Sequence, residues 1–109
     1  MKFQLFNRRR FNTIIGNVIG LLREHGYQKV YLHNGLEVRY SIRIFEICHR
    51  IDIGFFDRRN NYQTNVTVTT FIGEMKHVGV VFNCVESDKK IANVIVNIIE
   101  EGIGNKKDN

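Results

Sequence analysis

The chain contains no proline. That excludes proline-rich ligand motifs and rigid proline linkers. Cysteine is scarce, with Cys48 and Cys84 the only two. Two are too few for a disulfide scaffold, and they form no CxxC pair. Each falls in an apolar strand pattern, which reads as a reduced, intracellular thiol. Long apolar runs are missing as well. The stretch IIGNVIGLL follows a basic MKFQLFNRRR as in a signal peptide, yet it contains Asn17 and runs into Arg23 and Glu24. It has no small-residue cleavage site and is too short to span a bilayer. No glycine-rich phosphate loop is present, because Gly16 and Gly20 lie inside a helical pattern with no strand before it. There is no internal repeat and no low-complexity tract. These absences leave a soluble cytoplasmic protein, with no membrane partner and no cofactor expected.

What is present fits one domain. The 109 residues are 43% hydrophobic, enough for a single core. The net charge of +5 is unevenly spread. Residues 1–59 hold 11 Lys/Arg against 5 Asp/Glu, whereas residues 60–109 hold 5 against 6. A basic half attracts nucleic acid, anionic membrane or an acidic protein, although a charge of this size is also normal for a soluble surface. Isoleucine and asparagine are abundant, as in AT-rich genes. In so small a basic chain that flavour suggests a phage or mobile element, and an infected host's cytoplasm as one setting.

Periodicity predicts helix, then strands, then helix. Residues 1–6 (MKFQLF) read as a packed arm or short strand. Asn7 is a plausible N-cap, followed by Arg8, Arg9 and Arg10. Phe11, Ile14, Ile15, Val18, Leu21 and Leu22 then recur at helical spacing. Gly26 reads as a left-handed cap with Tyr27 following. Asn34-Gly35 reads as a type I′ hairpin turn between two alternating strands. Leu36 to Ile44 alternates on even positions, whereas Ile47 to Phe55 alternates on odd ones. With no Gly, Asn or Pro at the switch, a bulge near Phe45–Ile47 is favoured over a turn. Asp57–Asn61 reads as a loop, 66–72 and 78–84 as strands, and 73–77 as a turn. Ser87 caps a last helix with Ile91, Val94, Ile95, Ile98 and Ile99 on its apolar side, ending at Gly102. The reading is therefore α+β: a single antiparallel sheet of four to five strands, with both helices packed on one face. It covers residues 1–103 as one domain, with 104–109 as a frayed tail.

Catalytic constellations are weak. His25, His33, Cys48, His49, His77 and Cys84 lack the paired spacing of a zinc site. No nucleophile elbow surrounds a serine. Glu74-Met75-Lys76 has the acid-x-Lys form that resembles restriction-endonuclease-like nucleases. That resemblance implies a metal-dependent nuclease with Asp52 or Asp57 as upstream acid and Glu24 as a helical acid. Against it, Gly73 precedes the motif, which falls at a turn. The element order also resembles double-stranded-RNA-binding domains, and Lys89-Lys90-Ile91-Ala92 looks like their lysine-rich helix start. That likeness covers order alone, since the strand region is longer and the family's proline-containing loop is missing.

The basic features carry the functional expectation. Arg8, Arg9 and Arg10 open the first helix. Lys29, Tyr31, His33, Arg39 and Arg43 should line the open sheet face, near Thr67, Thr69 and Phe71. Cations beside rings on a sheet suit single-stranded nucleic acid, although a solvated face uses the same residues. The expected function is a non-enzymatic protein binding nucleic acid through Arg8, Arg9, Arg10, Lys29, Tyr31, Arg39 and Arg43. The second reading is a protein-binding inhibitor or regulator, meeting an anionic protein surface; the nuclease is third. Homodimerisation through the open face or an edge strand is compatible with either of the first two.

Overall fold

A computed structural model gives the fold and describes residues 4–36, 38–56, 64–74 and 76–107. The elements are α1 (Arg8–Glu24), β1 (Val30–Leu36), β2 (Arg39–Ile44), β3 (His49–Phe56), β4 (Asn65–Ile72), β5 (Lys76–Asn83) and α2 (Asp88–Lys107). The strands form one five-stranded antiparallel sheet in the order β1-β2-β3-β4-β5. The α+β architecture read from the sequence is present, with one helix from each end of the chain. Among the described residues no helix is long and apolar enough to cross a membrane. The expected loop at 57–61 lies outside the described residues.

Local chemistry sets both helices. The Asn7 side chain accepts the Arg10 backbone N–H at 2.9 Å, capping α1. At the other end Gly26 takes φ 106°. The Gly26 N–H reaches the Arg23 carbonyl and the Tyr27 N–H the Leu22 carbonyl, a Schellman closure. Ser87 Oγ accepts the Lys90 N–H at 3.1 Å, capping α2. The two helices run side by side in the same direction. Arg10 near the start of α1 bonds Asp88 at the start of α2, and His25 after α1 bonds Glu100 late in α2.

The core lies between this helix pair and one face of the sheet. Ile14, Val18 and Leu22 of α1 and Ile91, Ile95 and Ile99 of α2 are each fully buried. They pack with Ile42, Ile44, Ile51, Ile53, Phe55, Val66 and Val68 from the strands. Phe11 stacks between Phe6 and Phe55. Ile98, expected in the core, is only partly buried. The series Ile91, Ile95, Ile99, Ile103 at every fourth residue faces the sheet instead. That series also explains why α2 does not stop at Gly102. A helical glycine costs about 1 kcal/mol relative to alanine, whereas burying an isoleucine gains about 1.5–3 kcal/mol. Ile103 is 2% exposed, so the helix continues to Lys107. Gly102 serves a different purpose: a Cβ there would overlap Ile72 Cδ1 of β4.

Lys76 and His77, expected in a turn, begin β5 opposite Ile72 and Phe71. Two further turn assignments are corrected. Asn34 and Gly35 are not a turn; they lie within β1, opposite Ser41 and Tyr40. The hairpin closes at the pair Leu36–Arg39 instead. The register slips between Leu32 and Asn34, so the irregularity falls in β1. Gly35 faces the Tyr40 ring, where a Cβ would sit 3.4 Å from Cδ1. Tyr40 is 4% exposed and its hydroxyl donates to Asn12 of α1. A separation of 3.4 Å is ordinary contact distance, so the Tyr40 ring does not itself require a glycine at this position. The second correction is at Phe45–Cys48, which is a turn and not a bulge. Ile44 pairs with His49 across it. Paired residues share a face, so a turn of even length moves the apolar set from even to odd positions. A bulge would do the same, which is why the alternation alone did not separate them. Cys48 takes the left-handed conformation at φ 54°, a place usually held by glycine or asparagine. It lies in this exposed turn, outside any strand, while Cys84 is buried just beyond β5.

Gly16 and Gly20 do not mediate close approach to the sheet, since a Cβ at either would meet nothing within 4 Å. Gly16→Ala should therefore raise stability by about 0.5–1 kcal/mol, read by urea unfolding. A loss would show that the glycine has a role the open space around it does not reveal. Ile95→Ala should lower stability by about 2–5 kcal/mol in the same assay. A loss below about 0.5 kcal/mol, typical of surface positions, would remove α2 from the core.

Candidate nucleic-acid interface

The helices cover one face of the sheet and leave the other open. Strand alternation decides what that open face displays. On β2, Tyr40, Ile42 and Ile44 are buried, so Arg39, Ser41 and Arg43 point outward. On β3, Ile51, Ile53 and Phe55 are buried, so Arg50, Asp52, Gly54 and Phe56 share the outward phase. Register then assembles rows across the strands. Tyr31, Arg43 and Arg50 form one row, and Arg39, Gly54 and Thr69 another.

The first row carries rings and charge together. Tyr31 is 50% exposed and Phe45 is 52% exposed. Their ring centroids are 5.8 Å apart and tilted by 55°. Phe45 is held by its backbone, whose N–H donates to the Lys29 carbonyl at 2.9 Å. Arg23, from the last turn of α1, donates to the Val30 carbonyl at 2.6 Å and places its guanidinium 5.8 Å from the Tyr31 ring. Arg50 pairs with Asp52 at 3.1 Å. Arg43 Nε is shielded from solvent and has no hydrogen-bond partner within the protein. At the far end of the face, Phe56 folds back over Gly54, where a Cβ would collide with its ring. Arg39 lies 5.6 Å over that ring.

Of the residues expected at the surface site, Tyr31, Arg39 and Arg43 are brought onto one face. Lys29 is exposed beside it, with its backbone N–H donating to Glu46 at 2.5 Å. Arg8 and Arg9 are exposed on the first turn of α1. They belong to the helix layer, across the sheet from Arg39 and Arg43. Arg10 must be withdrawn from the set. It is 6% exposed and its guanidinium is consumed internally. Nε donates to Asp88 at 2.8 Å, and Nη1 to the carbonyls of Gln4 at 2.5 Å and Cys84 at 3.0 Å. Nη2 donates to the Glu86 carbonyl at 2.9 Å, and the guanidinium covers the Phe6 ring at 4.5 Å. A triple-arginine run on an exposed helix start gave no hint that one member points inward. The signal was Asp88, an acid opening the other helix.

Sequence reasoning missed Arg23, Phe45, Arg50 and Phe56. Arg50 and Phe56 were legible from the alternation of β3. Phe45 was obscured by the bulge assignment, and Arg23 required the tertiary structure.

Several other groups are accounted for structurally. Glu86 accepts the Asn83 backbone N–H at 2.9 Å and pairs with Lys90 at 3.1 Å. The Asn83 bond, helped by Lys90 and opposed by burial, holds its carboxyl below the usual glutamate value. Burial raises the Tyr40 phenol, with Arg8 acting against it, so the hydroxyl stays a donor to Asn12. Among the described residues no group of three His, Cys, Asp or Glu side chains is placed to hold a metal. Glu74 is exposed in a turn beside Gly73, which has φ 63°. Asp52 is paired to Arg50 on the open face, while Glu24 ends α1 in the helix layer. Asp57 and Met75 lie outside the described residues.

No protein-family model, curated protein or solved structure matches the chain.

The Arg10 geometry separates it from its neighbours. Arg10→Ala should destabilise the fold by about 3–5 kcal/mol, because it strands Asp88 and three carbonyls. Arg8→Ala and Arg9→Ala should each stay within about 0.5 kcal/mol. Thermal or urea unfolding of the three variants checks this. Equal effects at positions 9 and 10 would contradict a buried role for Arg10.

Proposed function

We propose that the protein binds nucleic acid through the open face of its sheet, without a chemical step of its own. The observation that carries this reading is the row Tyr31–Arg43–Arg50, with Arg39 over Phe56 at the other end. Arginines neutralise phosphates and exposed rings stack on bases, and one sheet face offers both. Among the described residues the face carries Arg39, Arg43 and Arg50 against Asp52, so its charge suits a polyanion. A cytoplasmic setting fits the two unpaired cysteines. The composition supports a phage or mobile-element origin.

One observation favours a second reading, a regulator that binds another protein. Phe56, Thr67 and Val81 form a cross-strand row in which Phe56 is 39% and Val81 64% exposed. Exposed apolar residues in register suit the centre of a protein interface.

Salt separates the two. Each arginine contacting a phosphate releases counterions, with a slope of about −0.7 on a single strand and −0.9 on a duplex. An Arg39→Gln/Arg43→Gln double variant should therefore flatten the slope by about 1.4 on single strands and about 1.8 on duplexes. The measurement is a titration of labelled single- and double-stranded DNA and RNA across salt concentrations. Absence of binding to all four near about 50 mM salt would end this reading in favour of a protein partner. Binding with an unchanged slope in the double variant would move the surface away from the sheet, leaving Arg8 and Arg9.

A further inference from the structure

We infer that Tyr31 and Phe45 form a dock for an unpaired base, with Arg43 and Arg50 beside it taking the adjoining phosphates. The ligand class is then single-stranded nucleic acid. This rests on the nucleic-acid reading and goes further, from a charged face to a base-stacking site at one place on it.

Four observations converge there. Both rings are about half exposed, although large apolar side chains usually gain by being covered. They meet at 55° and not face to face, so the two rings are not stacked on each other. Their positions are prepared in advance. Tyr31 lies in register opposite Arg43, with Arg23 fixed near its ring by the Val30 carbonyl. Phe45 is tied to Lys29 through the backbone, although it begins a turn. A prearranged ring loses little freedom when a base stacks on it.

Charge then gives the dock a direction. Glu46 lies on the Lys29 side, where its carboxylate accepts the Lys29 N–H. Lys29 and Glu46 carry opposite charges there, so together they give that side no net attraction for a phosphate. On the other side Arg43 and Arg50 are paired across β2 and β3. Arg43 is partly exposed, and Arg50 is half exposed and shares its charge with one carboxylate. The backbone of a bound strand therefore runs over the arginines while a base turns toward the rings. A duplex keeps its bases stacked inside and offers them no contact of this kind.

The test uses the intact protein with oligo-dT, oligo-U, an abasic strand of equal length and a duplex of equal length. Wild type should bind the two base-bearing strands more tightly than the abasic strand and the duplex. Tyr31→Ala and Phe45→Ala should each weaken binding to the base-bearing strands by about 5- to 150-fold, the range for losing one stacked base. Their salt slopes should not change, and Tyr31→Phe should restore binding. Unfolding midpoints confirm that the variants fold, as expected at exposed positions. Equal binding of abasic and base-bearing strands, or wild-type affinity in the Tyr31→Ala/Phe45→Ala double variant, would overturn the dock. In that event salt-dependent binding by wild type would leave the broader reading standing. Absence of wild-type binding to all four probes would remove both.

Discussion

One buried guanidinium holds this architecture at its closed end. Arg10 reaches the arm before α1, the turn between β5 and α2, and the first residue of α2. A buried charge is tolerable only when its donors are matched, and here a carboxylate and three carbonyls match them. The bonds also satisfy carbonyls that follow β5 and would otherwise need water or another donor. With α1 fixed in this way, Phe11 stacks on Phe55 and the Ile14, Val18 and Leu22 stripe comes down on the sheet. The core of this chain, which has no disulfide, therefore depends on a polar contact at its margin.

The sequence revealed those features that repeat. Helical spacing from Phe11 to Leu22 and strand alternation at Tyr40–Ile44, Ile51–Phe55 and Val66–Ile72 placed the elements and most of their faces. Capping by Asn7, Gly26 and Ser87 was also legible, because each cap depends on chemistry within a few residues. What failed depended on distant partners. Asn34-Gly35 has the composition of a turn, yet both residues pair within β1, opposite Ser41 and Tyr40 across the hairpin. Cys48 adopts a conformation its residue type does not advertise. Gly102 reads as a stop, but Ile103 beyond it finds the core. Arg10 looks like Arg8 and Arg9 until Asp88 is placed beside it. On the candidate surface, Arg39, Arg43 and Tyr31 followed from alternation alone. The Tyr31–Phe45 contact needed the turn at 45–48 to be known.

The two sheet faces divide stability from recognition. One face is apolar and covered by helices. The other holds arginines and rings whose removal leaves the core contacts in place. Pleating makes this division automatic, since neighbouring residues on a strand belong to opposite faces. Arg39 and Tyr40 show it in adjacent positions: one lies over Phe56 on the open side and the other bonds α1.

The order of the sheet also bears on how the chain assembles. Every strand pairs with its neighbour in sequence, as a meander does. The Arg10–Asp88 bond instead joins residues 78 apart. Loop entropy grows as the logarithm of length, so this closure costs roughly 3 kcal/mol more than a four-residue turn. The hairpins are thus the inexpensive closures and the pairing of the helices is the expensive one. That difference is of the same order as the interactions of a single buried arginine.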